Sequence, residues 1–180
     1  MSELNIYADN SPQVEQTHTD YATISALLAE QGVRFERWQA SVALADDATQ
    51  ADVIAAYRTD IERLMAENGF QSVDVISLTP DHPDKAMLRQ KFLNEHTHSE
   101  YEVRFFVDGQ GLFYLHLGDK VYTVLCEKGD LISVPAGATH WFDMGANPRF
   151  KAIRLFTNAG GWVADFTGSA IAAQFPHLEN

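Results

Sequence analysis

The sequence holds one cysteine, a minority of cations and no long apolar run, and each shortage excludes a class of protein. A lone Cys126 can make no intramolecular disulfide, so the fold must rest on its hydrophobic core, and a reducing compartment suits it. Between VYTVL and EKGD, Cys126 reads as a strand-end residue with nothing nearby to depress a thiol pKa, which makes it structural and not a nucleophile. Lysine and arginine total 13 against 25 aspartate and glutamate, for a net charge of -12. Phosphate contacts are made by clustered lysine and arginine, so nucleic acid and anionic membrane are poor partners for this chain. No stretch approaches the ~18 apolar residues of a membrane span, and MSELNIYADNSP has neither a basic n-region nor an apolar h-region; the expected location is the cytoplasm. Repeats at periods of ~20 to 50 residues and low-complexity tracts are lacking as well.

What is present is enough chain for one substantial core, since a domain of this size buries roughly 70% of its unfolded surface. With no flexible linker between its halves, the chain is expected to form a single domain over residues 1–180. The first half is helical in pattern. Tyr21, Ile24, Leu27 and Leu28 recur at helical spacing before a stop at Gly32, and GVRFERWQA suggests a strand. From Thr49 to Asn68, Val53, Ile54, Tyr57, Ile61, Leu64 and Met65 form one stripe, which predicts a single helix ended by Asn68 and Gly69. SVDVISL reads as a strand, and PDHPDKAMLRQKFL as a turn into a short helix. Beyond residue 100, EVRFFVDG, GLFYLHLGD, KVYTVLCEKGD, LISVPAGATHWFDMG and FKAIRLF are short β-rich runs divided by turn residues, which indicates a small barrel or sandwich. The expected fold is mainly β, with the helices of the N-terminal half packed outside the barrel.

The stretch NEHTHSEYEVRFFVDG carries the chemistry. Side chains alternate along a strand, so the even residues His96, His98, Glu102 and Arg104 would share one face. Val103, Phe105 and Val107 would form the apolar face behind them, and Gly109 stands where a turn would end the strand. On a helix His96 and His98 would lie ~200° apart and could not ligate one ion. Seven histidines in this length give about 0.3 HxH pairs by chance, so the pair alone is weak and the clustering must carry the reading. A second cluster, GDLISVPAGATHWFDM, supplies a strand, a Pro135–Gly137 turn and His140, which such a turn can return beside the first cluster. Three imidazoles and a carboxylate suit Fe(II), Ni(II), Mn(II) or Zn(II), and an octahedral ion held this way keeps two positions open. A closed structural zinc site would normally use four protein ligands and include cysteine. Of the other histidines, His18, His82 and His177 read as solvated, and His116 as a hydrogen-bonded core or barrel-wall residue.

HTHSEYE followed by VRFFVDG matches the first cupin motif, HxHxxxE with six residues before a glycine, and GDLISVPAGATH matches the second, G-x5-P-x-G-x2-H. The asparagine that often follows the second motif is replaced by Met144. RFERWQA, DVISL, KFLNEHTHSEYEVRFFVDGQGLF, DLISVPAGATHWFDMG, AIRLF and GWVADFTG extend the likeness over roughly residues 32–168, and in them the chain resembles the bacterial acireductone dioxygenases of methionine salvage. That resemblance implies a cupin-type double-stranded β-helix, a jelly-roll barrel with its core at about residues 72–157. It implies His96, His98, Glu102 and His140 as ligands to one Fe(II) or Ni(II) per chain, and a monomer.

It also implies the reaction. The substrate is the enediol 1,2-dihydroxy-3-keto-5-methylthiopentene; with O2 the iron form gives 4-methylthio-2-oxobutanoate plus formate, and the nickel form gives 3-(methylthio)propanoate, formate and carbon monoxide. Arg104 is assigned to stabilise the substrate dianion, in keeping with a fixed cation on the ligand face. Phe92, Phe142 and Trp162 are candidates for the pocket around the methylthio tail. Glu95 and Tyr101 are candidates for metal incorporation or for contacts behind the ligands, although Glu95 has odd parity and should face away, and Tyr101 replaces an acid found in some relatives. Two other classes compete: a zinc- or manganese-dependent cupin isomerase, and a non-catalytic cupin that binds a small molecule. No cation cluster suggests the phosphate clamp of a sugar-phosphate isomerase, and a pure binding pocket has no need of an open metal.

Overall fold

The structure, a computed structural model, describes residues 1–158 and 163–180. Its elements run β1 (Glu3–Ala8), β2 (Val14–His18), α1 (Tyr21–Glu30), β3 (Arg34–Arg37), α2 (Gln50–Ala56), α3 (Arg58–Asn68), β4 (Ser72–Leu78), α4 (Lys85–Phe92), β5 (His96–Thr97), β6 (Glu102–Leu117), β7 (Lys120–Glu127), β8 (Asp130–Val134), β9 (Thr139–Asp143), β10 (Phe150–Phe156) and β11 (Asp165–Phe166), followed by a short 3-10 turn, Ile171–Gln174. Every strand pairing is antiparallel, and β6 joins two sheets. Its first half lies between β10 and β8, in the order β4-β10-β6-β8-β3. Its second half lies between β9 and β7, in the order β11-β5-β9-β6-β7-β1-β2. The fold is mainly β with flanking helices, as expected.

Gly109 does not end a strand. β6 continues through it for 16 residues in all, and the register with β10 slips beside it, between Lys151 and Ala152. The backbone at Gly109 is left-handed, φ 71°, and a Cβ there would stand 1.9 Å from the Arg149 carbonyl oxygen, so only glycine fits. Past this bulge the inward parity changes: Phe106 faces the interior before it, and Phe113 and Leu115 after it. The interior cluster joins these to Val124 and Leu4 of one sheet and to Ile132, Phe150 and Ala152 of the other, so the two sheets face each other across one core.

Val103, Phe105 and Val107 form the outer face of β6 as predicted, packed with Val53, Tyr57, Ile61 and Leu64. Those four residues keep the predicted stripe, but it spans two helices and not one, with Tyr57 at the junction between them. At Tyr57 (φ -110°, ψ 19°) the helical backbone is interrupted while the ring packs edge-on against Phe105 at 5.4 Å between centroids. Gly69 ends α3 in the left-handed conformation expected of it. α1 adds Ile24 and Leu28 to the interior cluster. β1 and β2 gave no sequence expectation; half of β1 is buried and its mate β2 is nearly all exposed, so neither shows a full alternation.

Candidate metal centre

His96, His98, Glu102 and His140 converge as the spacing predicts, but not from one strand. β5 contains only His96 and Thr97, pairing His96 directly with His140 of β9. Glu102 opens β6 and pairs with Val134 of β8 in the other sheet. The chain therefore crosses between the sheets over residues 98–101, and parity along a single strand holds only from Glu102 to Arg104. The Pro135 turn closes the arrangement, since the Gly137 amide donates to the His98 carbonyl at 2.8 Å.

All four side chains are buried, with one ligand atom from each lying within 4.8 Å of the rest. Nδ1 of His96 meets the Asn94 carbonyl at 2.7 Å, Nδ1 of His140 the Ala138 carbonyl at 2.8 Å and Nδ1 of His98 the Val163 carbonyl at 2.8 Å. A carbonyl can only accept, so each Nδ1 carries a proton and each Nε2 is the atom offered to the centre. Glu102 Oε2 stands 3.0 Å from His98 Nε2 and 3.1 Å from His140 Nε2. Donors about 2.1 Å from a common ion lie ~3 Å apart when adjacent and ~4 Å apart when opposite, so this set fits a divalent ion after a small contraction. Burial beside His140 lowers His96 to about 4, so it is neutral and ready to ligate at neutral pH. Burial alone would lower His98 too, but its hydrogen bond to Glu102 and that residue's charge raise it. Against the cost of burial, the Arg104 charge and the two histidines hold the Glu102 carboxyl well below its usual range.

Arg104 Nε lies 2.8 Å from Glu102 Oε1, and its guanidinium sits 4.6 Å from the Phe142 ring centroid and 5.2 Å from that of Phe113. Burial lowers its pKa, with the Glu102 charge opposing. A cavity of about 290 Å³ opens here, lined by the four candidate ligands, Arg104, Phe92 and Phe142. Phe92 and Phe142 meet edge to face at 6.2 Å, and Gly111 makes room for Phe142, whose ring a Cβ would meet at 2.3 Å. Trp162 lies outside the described residues. Glu95 faces away from the cavity, receiving Nδ1 of His116 at 2.9 Å; His116 is thus the hydrogen-bonded wall residue expected. Tyr101 is half exposed and lines a separate cavity with Val103. Cys126 is buried in β7, and burial pushes its thiol well up.

Sequence reasoning missed Lys91, Asp74, Arg154 and Phe166 in the cavity wall. Arg154 is registered directly opposite Arg104 and opposite Asp74, whose carboxylate it grips with two bonds of 2.6 and 2.7 Å. A signal was there: SVDVISL carries one charge, Asp74, and FKAIRLF two, Lys151 and Arg154, inside apolar strands, and such charges need partners.

Comparison with known proteins decides the family. Residues 3–164 match the model of the ARD/ARD' family. The chain belongs to that family. Curated relatives called acireductone dioxygenase include one from Alcanivorax borkumensis, 62% identical over 178 residues and 98% of each chain, and one from Pseudomonas fluorescens, 59% identical over the whole of both. Among solved structures, an acireductone dioxygenase from Bacillus anthracis with a cadmium ion in its active centre is 32% identical with a TM-score of 0.81, covering 92% of this chain and 98% of that one. The ARD/ARD' assignment agrees with the resemblance read from the motifs, and with its cupin-type fold.

Proposed function

We propose that this chain is a metal-dependent acireductone dioxygenase, cleaving 1,2-dihydroxy-3-keto-5-methylthiopentene with O2. The observation that carries the reading is the convergence of three Nε2 atoms and one carboxylate, all buried, at the floor of a cavity with aromatic walls. His96, His98, Glu102 and His140 would hold one Fe(II) or Ni(II), which supplies Lewis acidity toward an enediol that chelates through two oxygens. Fe(II) would give 4-methylthio-2-oxobutanoate and formate; Ni(II) would give 3-(methylthio)propanoate, formate and carbon monoxide.

The protein's own part is electrostatic and steric. Arg104 places a fixed cation where the enediol must lose protons, so it favours the dianion and holds it in orientation. Phe92 and Phe142 exclude water and offer the methylthio tail an apolar wall, and the resemblance assigns Trp162 to the same pocket. The carbonyls behind the three histidines hold the Nδ1 protons, so each neutral ring presents its Nε2 lone pair, aimed at the ion. Glu95 supports the centre from behind the ligand strand, while Tyr101, half exposed on the other side of β6, has a supporting role at most. We take the unit to be one domain over residues 1–180, acting as a cytoplasmic monomer with no nucleic-acid or membrane partner. No helix among the described residues is long and apolar enough to cross a membrane.

The test is oxygen uptake. Fe(II)-loaded protein should consume O2 only when acireductone is added, with loss of the enediol ultraviolet band; metal-replete protein that takes up none would sink the reading. Product analysis of separately loaded Fe(II) and Ni(II) protein then assigns the cleavage site.

A further inference from the structure

The three imidazoles are not oriented by equivalent means. His96 and His140 each bond a carbonyl two residues earlier in the chain, Asn94 and Ala138, so their orientation is local. His98 depends on Val163, which is 65 residues away. Val163 begins a segment that lies over β5, pairing Asp165 with Thr97 and Phe166 with His96. Its outer face is largely exposed, Val163 at 72% and Phe166 at 51%, so little burial holds it down. Past the two paired residues it is tied by Thr167. The Thr167 amide donates to the Glu95 carbonyl at 3.1 Å, and its hydroxyl donates to Glu95 Oε1 at 2.8 Å. Glu95 is 5% exposed; its other oxygen receives Nδ1 of His116, whose Nε2 lies 3.5 Å from Asp9 Oδ2. The anchor is thus fixed to β6 and the end of β1, and the exposed segment borrows that rigidity.

We propose that Thr167 and Glu95 form a latch that positions His98 for metal by holding the Val163 carbonyl in place. Both are positioning residues, since neither touches the cavity, and the inference rests on the metal-site reading above. Opening the latch frees the Val163 carbonyl and loosens its hold on His98 Nδ1–H. His96 and His140 keep their own acceptors. The effect must therefore fall on one ligand of three.

Co(II) alone serves as the probe, because each ligating imidazole of Co(II)-loaded protein gives an ion-shifted Nδ1–H proton resonance whose exchange with water can be timed. In Thr167→Val, one of the three should exchange at least about tenfold faster and Co(II) should dissociate about tenfold faster. Thr167→Ser should restore both. Glu95→Gln, which keeps an acceptor for Thr167, should match wild type, and Thr167→Val should add nothing in a Glu95→Ala background. Unchanged exchange in Thr167→Val would overturn the latch; so would equal acceleration of all three resonances, the mark of general loosening, or a Glu95→Gln variant as loose as Glu95→Ala. Wild-type protein that binds no Co(II) would instead refute the metal reading itself.

Discussion

Of the described carboxylates buried against arginine, Asp143 and Glu102 are built differently. Asp143 of β9 receives both Arg89 bonds, 2.7 and 2.9 Å, together with the backbone amides of Gly145 at 2.8 Å and Leu178 at 2.9 Å. It ties α4, β9 and the C-terminal segment into one knot, and its oxygens are saturated by donors that cannot leave. Among the described residues, Glu102 bonds side chains alone: Arg104 on one oxygen, His98 and His140 on the other. Each histidine can turn its Nε2 from the carboxylate to a shared ion without breaking any backbone contact. Saturation by backbone makes a carboxylate structural; encirclement by ligating side chains leaves it free to do chemistry.

The contrast can be broken from either end. Glu102→Ala should abolish metal retention and O2 uptake together, a loss of at least about a thousandfold, while the melting temperature of metal-free protein changes far less; metal analysis and calorimetry check this. Asp143→Asn places an amide N–H₂ among donors, and should cost about 3 kcal/mol in denaturant unfolding while folded protein still binds one metal per chain. Arg104→Ala should leave metal content largely intact and cut turnover about a hundredfold, ~2.7 kcal/mol of transition-state stabilisation; equal loss of metal would make Arg104 structural instead. Arg89→Lys, which gives up the two-pronged grip, should cost only about 1 kcal/mol by the same unfolding assay.

Acid sharpens the same comparison. Burial would raise the Asp143 carboxyl, but the Arg89 bonds and the two amides hold it below its ordinary value. A depressed acid contributes stability that is fully present above the unfolded-state pKa, near 4 for aspartate, and is lost as pH falls through the lower folded value. Wild type should therefore lose melting temperature below about pH 4 more steeply than Asp143→Asn, whose position does not titrate.

Much of this site was legible because its signals are local. HxHxxxE and the Pro-Gly turn before His140 depend on a few neighbouring residues, and the apolar face of Val103, Phe105 and Val107 follows from alternation alone. What escaped depends on distant partners. The charges in SVDVISL and FKAIRLF call for partners, but nothing near Arg154 says that Asp74 and Arg104 stand opposite it, since both pairings are made with distant strands. The turn expected at Gly109 failed for the same reason: glycine marks left-handed backbone, but only the opposing Arg149 carbonyl decides whether the chain reverses there or bends and goes on. The break at Tyr57 left the apolar stripe intact and so left no trace in the pattern.

The long strand β6 also has a consequence for how the molecule assembles in time. Its partner strands are spread from Lys120 to Phe156, and the candidate ligands are dispersed around it: Glu102 opens its first half, His140 lies on β9 beside its second half, and His96 lies on β5 beyond β9. Non-local pairings of this kind pay their loop-closure entropy early and form slowly. A metal ion cannot nucleate such a chain, because no hairpin or neighbouring pair of strands contains the complete donor set. The ion is a late arrival: it should bind sheets that have already paired, and refolding should proceed at the same rate with or without it.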